Sequence, residues 1–244
     1  MGGAVAQDTR KARQTRGTRQ ARTCGDPRER ARGGGRPVIR RAGEHALLVE
    51  TGSLEVSHRL DALLRADRPA RVAEIVPGPA TVLVVAPGAD PARLRDELAR
   101  LLEAAAGADA GDAARPAAVT LPVVYDGADL DEVAALSGLS RREVVERHTG
   151  RELTVGWLGF APGFAYLTGL DPALHMSRLD TPRTSVPAGS VAIAGPYSAV
   201  YPSASPGGWR LLGRSATIVW DVDADPPALL TPGTRVRFQA VHGS

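Results

Sequence analysis

From Glu152 onward the chain is a succession of short runs rich in Val, Ile, Leu and Thr, cut by glycine or proline at close intervals. Proline inside a helix removes a hydrogen bond and clashes with the preceding turn, and glycine costs about 1 kcal/mol per helical position. That punctuation excludes long helices from this part of the chain. Short β-branched runs closed by turn residues are what a small barrel needs. The expectation is an all-β, barrel-like C-terminal domain.

The preceding part reads differently. "VIRRAGEHALLVE" fits two short strands about a glycine turn, and "VAEIVPG" and "TVLVVA" fit two more, separated by Pro77, Gly78 and Pro79. Between the pairs, Ser53 is placed to cap a helix with Leu54, Leu60, Leu63 and Leu64 on one face. A second helix starts at Asp90 and Pro91 and carries Leu94, Leu98, Leu101 and Leu102. The order β, β, α, β, β, α suits a small α/β sandwich over residues 37–115. The turn-rich segment Gly107–Ala117 marks the boundary with a second domain, residues 116–244, which opens on the strand "AVTLPVVY". Two helices follow, one capped by Asp129 and one by the Ser140–Glu143 capping box. The fold class expected for the whole is therefore α+β.

Charge is distributed unevenly. The net +3 conceals a leader, residues 1–36, that holds nine Arg and Lys11 against three acids, which leaves the remainder mildly acidic. Having almost nothing apolar to bury, the leader is expected to be disordered, with nucleic-acid contact as the alternative reading. Lys11 is the only lysine, so the body cannot hold a P-loop, Schiff-base or biotinyl lysine. Cys24, the single cysteine, excludes an internal disulfide and a cysteine-based zinc site, and the histidines have no metal-ligand spacing. No metal site is expected. Without a run of eighteen apolar residues or a signal-like apolar segment, the expected location is cytoplasmic and no membrane partner is implied.

Only 4% of the residues are aromatic, yet "GFAPGFAYL" (residues 159–167) and "YPSASPGGW" (residues 201–209) set rings beside glycine and proline. Stiff loops with aromatic side chains serve as pocket walls or partner anchors, and they serve equally to fill the end of a barrel. Phe164, Tyr201 and Trp209 are the candidate walls. Gly207 and Gly208 offer backbone N–H groups to a carbonyl or carboxylate, with Ser190 and Ser205 as nearby hydroxyls.

"VVYDGADLDEVAALSGLSRREVVERHTG", "VGWLGFAPGFAYLTGLDPALH", "TPRTSVPAGSVAIAG" and "YPSASPGGWRLLGR" together resemble the B-type component of bacterial 5-oxoprolinase, a family also called KipI-type or allophanate hydrolase subunit 1. The resemblance is densest from about Leu121 to Arg214. It implies a cyclophilin-like β-barrel behind a small α/β domain. It also implies partnership with a C-type subunit and an A-type subunit in ATP-dependent cleavage of 5-oxoproline to glutamate, with ATP handled outside this chain. Relatives act as inhibitors of a sensor histidine kinase or sit in urea carboxylases, so a kinase inhibitor and a carboxyltransferase-type amide-processing module are the alternatives.

Within these motifs Arg183 reads either as a clamp for the carboxylate of a cyclic amide substrate or as a surface arginine paired with an acid, and Arg214 reads the same way. His148 reads either as a cation at a helix C-terminus or as a general base near Tyr125 and Asp126. The chain departs from the family pattern at Tyr197 and Ser198, which stand where relatives carry Gln and Thr, at Ser177, and at Leu153.

Overall fold

A computed structural model describes residues 38–107 and 118–242. The leader and nearly all of the expected domain boundary lie outside the described residues.

Strands β1 (Val38–Arg41), β2 (Ala46–Glu50), β3 (Glu74–Pro77) and β4 (Thr81–Val85) form one antiparallel sheet in the order β1-β2-β4-β3. Leu47 and Val49 of β2 and Val82 and Val84 of β4 alternate onto one face, as a half-buried strand requires. Helices α1 (Leu54–Ala66) and α2 (Pro91–Gly107) cover that face with Leu60, Leu64, Leu94, Leu98, Leu102 and Ala105. Ser53 Oγ accepts the Val56 N–H at the start of α1, and Asp90 Oδ1 accepts the Ala92 N–H at the start of α2. Both caps stand where the sequence puts them.

The second sheet has seven strands in the order β12-β9-β10-β7-β6-β13-β5. In chain order these are β5 (Val119–Val123), β6 (Glu152–Leu158), β7 (Ala165–Thr168), β9 (Ser190–Ala194), β10 (Tyr197–Val200), β12 (Arg210–Arg214) and β13 (Arg235–Ala240). Only β5 and β13 run parallel; the other pairs are antiparallel. Strands β8 (Arg183–Val186) and β11 (Ser205–Gly207) make a separate two-stranded ribbon.

The sheet curls until its two edges meet. Val124, just after β5, and Arg214, at the end of β12, exchange backbone hydrogen bonds of 2.9 Å in both directions. The seam continues as Gly127 and Asp129 donate to the carbonyls of Leu212 and Leu211 at 3.0 and 3.1 Å. A β-carbon on Gly213 would overlap the Val124 carbonyl oxygen, and one on Gly127 would overlap the Leu211 carbonyl oxygen. The glycines of "YDG" and "LLGR" are thus explained by edge closure, which removes exposed strand edges. Inside lie Leu121, Val123, Val155, Leu167, Val236 and Phe238. The barrel expectation and the α+β class both hold.

Helices α3 (Leu130–Ser137) and α4 (Arg141–Thr149) pack outside the barrel on Ile193 and Leu212. The Ser140–Glu143 capping box forms as expected. Asp129 behaves differently, because its side chain makes no cap bond to α3. Its carboxylate instead accepts Arg183 Nη2 at 2.6 Å and the Leu211 N–H at 2.7 Å. A buried carboxylate is better compensated by a cation and a strand amide than by a solvated helix end. Between the two sheets, His58 Nε2 of α1 donates to the Gly156 carbonyl at 2.6 Å, at the bulge between Val155 and Trp157 of β6. No helix among the described residues is long and apolar enough to cross a membrane.

Candidate functional site

A concavity of about 90 Å³ opens at one end of the barrel, lined by Phe160, Phe164, Tyr166, Arg178, Tyr201, Gly207, Gly208 and Trp209. Both aromatic segments singled out in the sequence converge there. Phe164 is the hub: Phe160, Tyr166, Tyr201 and Trp209 each meet it edge to face with ring centroids 5.2–5.5 Å apart. Tyr166 continues the cluster by stacking on Trp157 at 4.8 Å, and Tyr197 meets both of those rings edge-on. Edge-to-face pairs add about 0.5–1.5 kcal/mol each beyond area burial, so the floor is rigid.

Phe164, Tyr201 and Trp209 are buried, whereas Phe160 is 63% exposed. Phe160 also has φ +71°, a left-handed conformation that a bulky residue adopts at a cost of about 1–2 kcal/mol. The turn around it is fixed by Gly163 at φ +74°, whose missing β-carbon makes room for Trp220. An exposed phenylalanine held in a strained conformation at the lip of a cavity is not explained by core filling. Most of the rings fill the barrel end, and Phe160 alone of the four around the hub stands out to solvent.

Gly207 has its own constraint. A β-carbon there would overlap the Tyr201 hydroxyl oxygen, whereas one on Gly208 would meet only ordinary contacts at 3.6 Å. The Trp209 backbone N–H donates to the Tyr201 hydroxyl, and burial raises the phenol pKa. The hydroxyl therefore keeps its proton and still has it to donate. Arg178 stands at the rim, exposed, with its guanidinium carbon 6.0 Å from the Trp209 ring centroid. The lining contains this one cation and no acid.

Five candidates from the sequence, Phe164, Tyr201, Gly207, Gly208 and Trp209, meet at the concavity. The other five do not line it, for identifiable reasons. His148 is 1% exposed, shares hydrogen bonds with Tyr125 Oη at Nδ1 (2.7 Å) and Ser198 Oγ at Nε2 (2.9 Å), and stacks on Phe238. Because Ser198 Oγ donates onward to the Ala192 carbonyl, His148 must donate at Nε2 and accept the Tyr125 proton at Nδ1. Burial pushes its pKa down to about 3 and pushes that of Tyr125 well up, so the ring is a neutral internal pin. Both sequence readings of His148, the cation and the general base, are corrected.

Arg183 is held by Asp129 as an ion pair with its side chain 29% exposed, and its Nη1 is buried without a partner, so its fork is not free for a carboxylate. Arg214 pairs with Asp126 at 2.9 Å on the exposed side of the barrel seam. Ser190 is buried in β9, and Ser205 Oγ is buried with no hydrogen bond. Of the departures from the family pattern, Ser198 is sealed in the core and keeps a hydroxyl where relatives have Thr; Tyr197 joins the aromatic cluster.

Two arginines escape sequence reasoning. Arg210 lies almost buried with Nε donating to the Ser177 carbonyl at 3.1 Å and Nη1 2.6 Å from Glu132, close enough for an ion pair but off the line of a hydrogen bond. Arg178 is visible in the text only as the residue after a departure from the family pattern, in "LHMSR". No group of His, Cys, Asp and Glu that could hold a metal is present among the described residues.

Comparison with known proteins agrees with this picture. A 123-residue segment is 51% identical to the B-type component of 5-oxoprolinase from Escherichia coli O157:H7, covering 49% of this chain and 56% of that protein. The identity is 45% to the same component from Bacillus subtilis, over 49% and 51% of the two chains. The chain spans about half the length of the curated relatives it matches. Among solved structures, TTHA0988 superposes with a TM-score of 0.71 at 36% identity, over 85% of this chain and 41% of that one. The uncharacterized protein PH0987 from Pyrococcus horikoshii aligns at 34% identity with a TM-score of 0.50, over 84% of this chain and 98% of that one. The match to the family described as carboxyltransferase domain, subdomains C and D, runs from residue 37 to residue 230, and this chain belongs to that family.

Proposed function

We propose that this chain is the B-type component of an ATP-dependent 5-oxoprolinase, contributing part of a composite site that opens the cyclic amide of 5-oxoproline to glutamate. The observation that carries the reading is the concavity at the barrel end. Its volume of about 90 Å³ is well below the roughly 300–1,000 Å³ of a self-sufficient ligand pocket, although its walls are aromatic and its lip is strained. A half-built pocket of that kind fits a site completed by another polypeptide. The relatives named as B-type components of 5-oxoprolinase support the substrate, and the solved chain more than twice as long as the matched region supports a missing second part.

The chemistry asked of this chain is modest. Ring opening of an unactivated lactam needs the amide activated and the resulting charge stabilised. The residues lining the concavity offer backbone N–H groups, a phenol and one guanidinium, and no activated nucleophile. ATP belongs to the partner chains in this reading, since the only lysine is Lys11 and the sequence contains no phosphate-binding loop motif.

The experiment is co-expression with C-type and A-type subunits, followed by measurement of 5-oxoproline-dependent ATP hydrolysis and glutamate release. Activity should require this chain together with its partners, and the chain alone should be inactive. Failure to co-purify with a C-type subunit, or recovery of a sensor histidine kinase in its place, would move the reading to the KipI-type inhibitor.

A further inference from the structure

We propose that Arg178 is the anion receptor of the barrel-end concavity, and that the concavity takes a small carboxylic acid with a compact ring. The inference rests on the composite-site reading for the ring, and on the geometry of this chain for the carboxylate.

Arg178 differs from the other arginines around the barrel. Arg183, Arg210, Arg214, Arg147 and Arg151 are each committed to a carboxylate partner. Arg178 makes no ion pair and no side-chain hydrogen bond among the described residues; its guanidinium carbon stands over the Trp209 ring, 6.0 Å from the centroid. A guanidinium held over an aromatic ring by cation–π attraction uses none of its in-plane donors, so its fork stays available for two parallel bonds to a carboxylate. The surrounding wall carries no acid to neutralise it or to repel an anion.

The rest of the concavity selects the body of the ligand. Phe160, exposed at the lip, supplies an apolar face on which a flat ring can stack, and the limited volume excludes long chains. The Tyr201 hydroxyl, which receives the Trp209 N–H and keeps its own proton, is the polar group of this wall. A ring carbonyl is a suitable acceptor for it. Gly207, which has no β-carbon, leaves the space that this buried hydroxyl occupies beside the ribbon.

The test is direct binding to the purified full chain, followed by calorimetry and by tryptophan fluorescence, to which Trp157, Trp209 and Trp220 all contribute. The probes are 5-oxoproline, cyclopentanecarboxylate, their neutral carboxamides, and a tripeptide ending in proline with a free or amidated C-terminus. The ring acids should bind saturably and at least about 10-fold tighter than their amides, the value of a charged hydrogen bond. In Arg178→Met that preference should vanish while the melting temperature stays unchanged, because the side chain is exposed and unpaired; Arg178→Lys should restore only part of it. Equal binding of acids and amides, or an unchanged preference in Arg178→Met, overturns the proposal. So does the absence of acid binding up to the solubility limit, and so does tighter binding of the free-terminus peptide than of either ring acid. No partner or ATP is needed, so this result stands apart from whether the chain co-purifies with a C-type subunit.

Discussion

A β-carbon at Gly207 would fall within the radius of the Tyr201 hydroxyl oxygen, so the ribbon strand β11 and the buried phenol share a space that only glycine leaves open. Gly208, one residue on, has no such neighbour. Gly207→Ala should displace the phenol, break its bond from the Trp209 N–H and lower stability by about 1–3 kcal/mol, as for overpacking. Gly208→Ala should be close to neutral. Urea denaturation of the two variants distinguishes them, and equal losses would refute the steric account.

The Asp129 carboxylate ties Arg183 of β8 to the amide of Leu211 in β12, so one side chain joins three elements. Asp129→Ala strands a partly buried guanidinium and an amide donor. It should cost more than Arg183→Ala, which leaves the carboxylate one amide donor and solvent through the vacated space. With Arg183 partly exposed, losses of about 2–3 kcal/mol and 1–2 kcal/mol are expected. Chemical denaturation of both variants and the double mutant measures the coupling.

His148 predicts a pH dependence with a definite sign. Its folded-state pKa is about 3 and the ordinary value is 6.5, so below about pH 6.5 the unfolded chain takes up a proton that the folded chain refuses. Stability should therefore fall as the pH drops from about 6.5 toward 3, and this group should contribute no slope above that window. Between pH 6.5 and 4.5 the loss due to His148 is about 2 kcal/mol. His148→Gln should be flatter over the same interval, and an identical slope in the variant would remove the histidine from the explanation.

Barrel closure depends on Gly213, whose β-carbon would overlap the Val124 carbonyl that Arg214 bonds across the seam. Gly213→Ala should separate the two edges, expose strand backbone and destabilise the chain by about 3 kcal/mol or more. Hydrogen exchange of the Val124 and Arg214 amides is the direct measurement, with loss of their protection expected.

Much of the scaffold is legible in the residues. The leucine spacing of α1 and α2, the caps at Ser53 and Asp90 and the capping box at Ser140 are local signals, since each depends on residues within four positions of one another. The glycine and proline punctuation after Glu152 likewise specifies short strands, and the aromatic loops supply seven of the eight residues that line the concavity, all but Arg178. The misreadings come from contacts between distant residues. Asp129 has the sequence signature of a cap, yet Arg183 lies 54 positions away and takes the carboxylate. His148 looks like a helix-end cation until Ser198, 50 positions on, and Phe238 enclose its ring.

The sequence by itself determined which segments form helices and strands, the barrel-like character of the C-terminal part, and the absence of lysine chemistry from the body. Tertiary structure alone decided which arginine is free. Every arginine near the barrel looks alike as text, and only the folding of distant acids against Arg183, Arg210 and Arg214 leaves Arg178 uncommitted over the ring of Trp209. Charge pairing in a folded chain depends on separation in space, which local patterns of side chains do not encode.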